Sequence, residues 1–154
     1  MNISWLFNTV VNKIPLASLD QDYDGICTAT VIRTTTAWAV SKSLFAERMR
    51  VIKRSQCEIM VQRTVKQYFC TDYDKSSALS TAETEGGGLV CYGTEDPEED
   101  VNDGILVGVT SLVSINLPSL HNRIGLFRQW VIDNSNSLVS SHYFLFTSFM
   151  FWFL

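Results

Sequence analysis

Apolar and polar positions along this chain alternate over short distances and seldom recur at helical spacing. Runs rich in Val, Ile, Thr and aromatic residues stand at Ile26–Ile32, Ala37–Val40, Gly88–Tyr92, Ile105–Leu112 and Ile124–Phe127, divided by polar or Gly-containing stretches. Segments of that length and composition predict strands, and their number predicts an all-β fold class. Helical periodicity is confined to Phe127–Asn134, "FRQWVIDN", which predicts a closing helix with Trp130 and Val131 on its apolar side. Glu95–Asp103 is acidic, holds Pro97, and predicts an exposed turn.

The end of the chain breaks the pattern. A polar spacer from Ser135 leads into Tyr143–Leu154, "YFLFTSFMFWFL". Such a run is too short to span a bilayer as a helix. Small residues, a spacer and a terminal apolar tail share the outline of a lipid-anchor signal, while translated non-coding sequence or an exposed tail explains the run equally well. Membrane association is expected only if that tail is retained or is such a signal. Residues 1–13 read as an N-terminal extension without the basic leader or cleavage site of a signal peptide.

Composition adds a packed core and little else. Apolar residues make up 46% of the 154 and charged ones 18%, which excludes general disorder. The net charge of −4 conceals a division: Lys42–Lys66 holds seven basic and two acidic residues, and Asp72–Asp103 holds ten acidic and one basic. No nucleic-acid-reading motif accompanies the basic block, so it reads as a solvated face and no nucleic-acid partner is expected.

Cys27, Cys57, Cys70 and Cys91 form no CxxC pair, which argues against zinc and suits disulfides in an oxidising compartment. "DQDYDG" (Asp20–Gly25) opens like a calcium loop, but its twelfth position is Val31, where that loop needs a bidentate carboxylate. A polar turn is expected there instead, and neither a metal nor a cofactor.

The glycines carry the most specific signal. "ETEGGGLVC" resembles the G-D-S-G-G-P-L-V-C nucleophile motif of the trypsin/chymotrypsin-like serine peptidases at Gly86, Gly87, Leu89, Val90 and Cys91. "CTATVIRTTTAWAVSKSLF" (Cys27–Phe45) is similar to that family's C-G-G-S-L-I…W-V-V-S-A-A-H-C. "GILVGVTSL" resembles its substrate-binding strand, and "LPSLHNRIGLFRQWV" its final strand and helix. The motifs come in the family's order over roughly Pro15–Asn134.

The resemblance implies a partial double β-barrel, antiparallel and Greek-key, with a C-terminal helix. Residues 14–53 would be the remnant of the first barrel and 54–134 that of the second, with 135–154 as spacer and tail. The segment between the barrels is missing, so the remaining strands must re-pair into one compact sheet, borrow strands from a partner, or leave an unstable product with open edges. The resemblance also implies a Cys57–Cys70 disulfide. It leaves Cys27 and Cys91 without their family partners, free to pair with each other or to stay as buried thiols; free thiols are expected. An extracellular or secretory-pathway location follows from the same likeness.

The triad of that family needs a Ser, a His and an Asp. Here the nucleophile position holds Glu85, the His position holds Leu44, and the Asp segment is absent. The former oxyanion turn is Glu83, Thr84, Glu85 and Gly86, with carboxylates where developing negative charge would need donors. The former specificity pocket is Leu79, Thr81, Ser111 and Leu112. Neither His121 nor His142 can stand in. Loss of the Ser or His alone costs on the order of a millionfold in turnover in a related triad. The expected function is therefore that of an inactive serine protease homologue acting through a protein partner of unknown identity. A truncated or misassembled product without independent function ranks second, and a serine-type endopeptidase last.

Overall fold

A computed structural model describes residues 13–18, 20–35, 41–72, 85–113 and 116–134, without the side chains of 33–35 and 41–43. The strand run beginning at Ile26 extends further than its apolar core. β1 (Ile26–Thr35) pairs antiparallel with β2 (Ser41–Ile52) from Ile26↔Arg50 to Thr35↔Ser41. Along β1, Cys27, Ala29 and Val31 are buried while Thr28, Thr30 and Ile32 between them are half-buried, the two-residue period of a strand with one face on a core. The run expected at Ala37–Val40 lies outside the described residues.

Four shorter strands complete the sheet: β3 (Tyr68–Asp72), β4 (Gly88–Cys91), β5 (Ile105–Leu112) and β6 (Ser119–Arg123). They join in the order β1-β2-β3-β6-β5-β4, and β4 returns to β1 through Thr28↔Val90 and Ala29↔Leu89, so the barrel is closed. All six pairings are antiparallel. The run β4-β1-β2-β3 is a Greek key, the fourth strand lying back beside the first. Residues 14–53 supply β1 and β2 and residues 54–134 supply β3 to β6, so strands from both stretches share one barrel. The described strands therefore pair into one closed sheet. Closure removes the edges that an opened barrel would expose.

The interior is filled by Cys27, Ala29, Val31, Met49, Phe69, Leu89, Cys91, Ile105 and Val107, capped by Ala17 and Tyr23 from the chain ahead of β1. That leading segment lies along β5: the Ala17 N–H donates to the Leu106 carbonyl at 3.0 Å and the Leu106 N–H to that of Pro15 at 2.9 Å. A smaller cluster of Ile52, Cys57, Val65, Cys70 and Leu120 sits under α1 (Arg54–Val61). Sequence periodicity did not predict α1, and only Cys57 among its residues is buried. The Cys57–Cys70 disulfide fastens this short helix to β3, an anchor from outside its own sequence.

Two expectations are corrected. Ile124–Phe127 is not a strand: β6 ends at Arg123 and residues 124–134 form a helix, α2, with Trp130 66% exposed and so not on a buried face. Three interior positions of β6 are Ser119, His121 and Arg123, polar residues that hide the strand from a hydropathy reading. Cys27 and Cys91 are not free thiols; they are bonded to each other, with Cα atoms 4.3 Å apart. The β1–β4 register brings them opposite, since Thr28 faces Val90 and each cysteine is the next residue outward.

Candidate functional site: the Glu85 and Leu44 end of the barrel

The turn ahead of β4 is glycine because the backbone requires it. Gly86 has φ +86°, a region where L side chains are strained. Its N–H donates to the Thr110 carbonyl at 2.8 Å, and the Thr110 N–H donates to the Gly87 carbonyl at 2.8 Å. These bonds carry the β4–β5 ladder into the turn, so the Gly86 amide is committed to β5. Glu85 stands exposed just before it. The same ladder sets the turn beside the next residues of β5, half-buried Ser111 and exposed Leu112.

Leu44 lies opposite Ile32 of β1 and is 70% exposed, followed by Phe45 at 39%. β4 runs antiparallel to β1 and meets Ala29 at Leu89, so the residues preceding β4 lead toward the end of β1 where Leu44 sits. The topology thus brings the positions that the resemblance assigns to nucleophile and base, Glu85 and Leu44, to one end of the barrel with Ser111 and Leu112. Leu79, Thr81, Glu83 and Thr84 lie outside the described residues.

His121 is elsewhere. It is 1% exposed inside the barrel, with Nε2 2.8 Å from Thr71 Oγ1 of β3 and Nδ1 3.1 Å from Thr110 Oγ1 of β5. Burial pulls its pKa down from 6.5 to about 4, so the ring is neutral near neutrality. Its two hydroxyl partners were not foreseen; alternation of polar residues at 119, 121 and 123 was the available signal.

The carboxylates of the decoy calcium loop hold arginines. Asp22 pairs with Arg123 and, at 2.9 Å, with Arg54, while Asp20 lies 3.3 Å from Arg123 Nε. Arg123 is buried with its guanidinium 4.1 Å above the Phe69 ring. Near this group a cleft of about 450 Å³ is lined by Asp22, Val51, Arg54, Tyr68 and Phe69 among others. It adjoins the Ile52 end of β2, opposite the Leu44 end. Among the described residues no cluster of His, Cys, Asp or Glu is placed to hold a metal ion.

Asp96 sets the acidic loop against the leading segment. It accepts the Ser18 N–H at 2.9 Å, the Ser18 hydroxyl at 2.6 Å, the Tyr23 hydroxyl at 2.7 Å and the Glu98 N–H at 3.0 Å. Burial works to raise its pKa, but these donors outweigh burial and hold it at about 2. Burial first, and then the bond to Asp96, push the Tyr23 hydroxyl well above its ordinary value.

No family model and no curated protein matches the sequence. Solved structures do. An inactivated protease paralogue of the scabies mite, S-D1, superposes with a TM-score of 0.65 at 21% identity, over 86% of this chain and 57% of that one. Neuropsin, a serine protease of mouse brain, superposes with a TM-score of 0.63 at 18% identity, over 87% of this chain and 58% of its own. The chain therefore spans less than two thirds of the length of either structure. Together with the closed Greek-key barrel and its terminal helix, these likenesses identify the architecture as the trypsin-like serine protease fold.

Proposed function

We infer that the protein is a non-catalytic homologue of the trypsin-like serine peptidases and works by contact with other proteins. The observation that carries this reading is that Glu85, which the resemblance assigns to the nucleophile position, is exposed beside a turn whose Gly86 amide is spent on β5. A carboxylate there repels the negative charge that acyl transfer develops. The reading is supported by His121, buried and hydrogen-bonded within the barrel, and by Leu44 at the base position, which has no proton to exchange. That a structure of the same fold is named an inactivated paralogue agrees with it. Exposed Leu44 and Phe45 offer apolar contact surface at that end. The two disulfides are consistent with an extracellular or secretory-pathway location.

A fluorophosphonate probe, with an active trypsin-like peptidase as positive control, tests the absence of a nucleophile. No labelling is expected. Stoichiometric labelling of a serine, or peptide-ester hydrolysis that disappears in Glu85→Ala, overturns the reading. Photo-crosslinking from position 44 in extracellular fluid tests the contact role, and the absence of any protein adduct counts against it.

A further inference from the structure

The barrel consists of two three-stranded meanders, β1–β2–β3 and β4–β5–β6, which meet along two seams. At the β1–β4 seam the Cys27–Cys91 disulfide ties the halves covalently. The β3–β6 seam runs from Tyr68↔Asn122 to Thr71↔Ser119 without such a tie, because the Cys57–Cys70 bond joins β3 to α1 on its own side. Two contacts span this seam in the interior: the Arg123 guanidinium of β6 over the Phe69 ring of β3, and the polar cluster of the His121 ring on β6, facing Thr71 on β3 and Thr110 on β5.

A neutral imidazole has one donor and one acceptor nitrogen, and a threonine hydroxyl can serve either, so the cluster is satisfied as it stands. A charged imidazolium has two donors. Both hydroxyls could rotate to accept them, but neither offers a counter-charge. β3 faces the ring with Thr71 and Phe69, and β5 with Thr110 and Gly108, where an added Cβ would come within 3.1 Å of the His121 Cβ. β2 contributes Met49, its Sδ 3.6 Å from Thr71 Oγ1, and, next along that inward side, half-buried Glu47. On β6 itself the neighbours two residues away are Ser119 and Arg123, the latter already positive and held by Asp20 and Asp22. Burying a second cation here carries a desolvation cost that parting the strands would relieve.

We propose that the β3–β6 seam is an acid-operated opening in the barrel, in which protonation of His121 parts β3 from β6 while the Cys27–Cys91 disulfide keeps β1 hinged to β4. The closed state binds the proton near pH 4 and the open state near the ordinary 6.5. Closure is thus favoured in full above the higher value and weakens as pH falls toward the lower one. Linkage between those values raises the open population about 30-fold from about pH 7.5 to about pH 5.

Residue-resolved hydrogen exchange on the full chain, both disulfides intact, reads this directly. After correction for intrinsic exchange rates, protection of the β3 and β6 seam amides is expected to fall about 30-fold over that pH range, with β1–β2 amides keeping theirs. His121→Gln should abolish the difference. Should that variant fail to fold, Thr110→Val supplies the second reading: with one acceptor for the imidazolium gone, the closed state binds the proton still more weakly, so seam protection keeps falling below about pH 4, where the unaltered chain levels off. Seam amides that track the β1–β2 amides, simultaneous loss of protection in every strand, or an imidazole that titrates normally with the seam still protected would each overturn the proposal.

Discussion

Arg123 holds its charge where almost no water reaches, 1% exposed on the last strand of the barrel. Burial lowers its pKa, Asp22 and Asp20 oppose that effect, and the guanidinium remains the partner of both. Because those carboxylates are about half exposed, they can rehydrate when the arginine is lost, and the larger part of its worth is volume and contact with Phe69. Arg123→Ala is expected to cost about 3 kcal/mol in denaturant unfolding, and Arg123→Met to recover more than half of that. If the methionine variant is as damaged as the alanine one, the ion pair and not the packing is what matters. Sequence showed Asp20 and Asp22 as half of a calcium loop, and the missing ligand at Val31 sufficed to discard that reading. The partner, about a hundred residues away, was not legible, since only tertiary folding brings 22 and 123 together.

The elements differ in how far their own sequences specify them. β1 was legible because its interior positions are apolar at a two-residue period, β5 because it is a run rich in Val, Ile and Leu even though its buried positions shift at a bulge to Gly108 and Thr110, and the resemblance pointed to a final strand before the closing helix. α1 and β3 were not, the first because a disulfide holds a helix with little amphipathic pattern, the second because five residues give a weak signal. The segment leading into β1 is held to β5 by backbone bonds and to the acidic loop through Asp96. Asp96→Asn keeps an acceptor but loses the charge, and is expected to cost about 1–2 kcal/mol and to lower exchange protection at Ala17. The sign with pH is fixed by the depressed value: the contribution of Asp96 is present above 3.8 and is lost as pH falls toward about 2. The acid limb of a stability titration should accordingly be flatter in the variant below about pH 4. An unchanged limb would remove Asp96 from the account.

At the scale of the whole molecule, closure depends on joining residues distant in sequence. The Cys27–Cys91 bond spans a separation of 64 and fastens the seam with only two residue pairs in register. Replacing both cysteines by alanine is expected to cost about 4 kcal/mol by the chain-entropy estimate, against about 3 for the Cys57–Cys70 loop of separation 13. Thermal unfolding of the two double variants ranks them, and an equal loss would mean that strain or residual structure, not loop length, governs. Chemistry along the chain determined by itself that this is a mainly β molecule and that a glycine turn at Gly86 leads into β4, and it carried the resemblance by which Glu85 and Leu44 were assigned to that family's nucleophile and base positions. Those are matters of residue type and local spacing, which a linear sequence states in full. Which strands become neighbours, that Cys27 finds Cys91, and that His121 and Arg123 turn inward were decided only by the tertiary structure. Each depends on a barrel closing through long-range pairing, and the energy of such pairing resides in contacts between residues that local sequence does not relate.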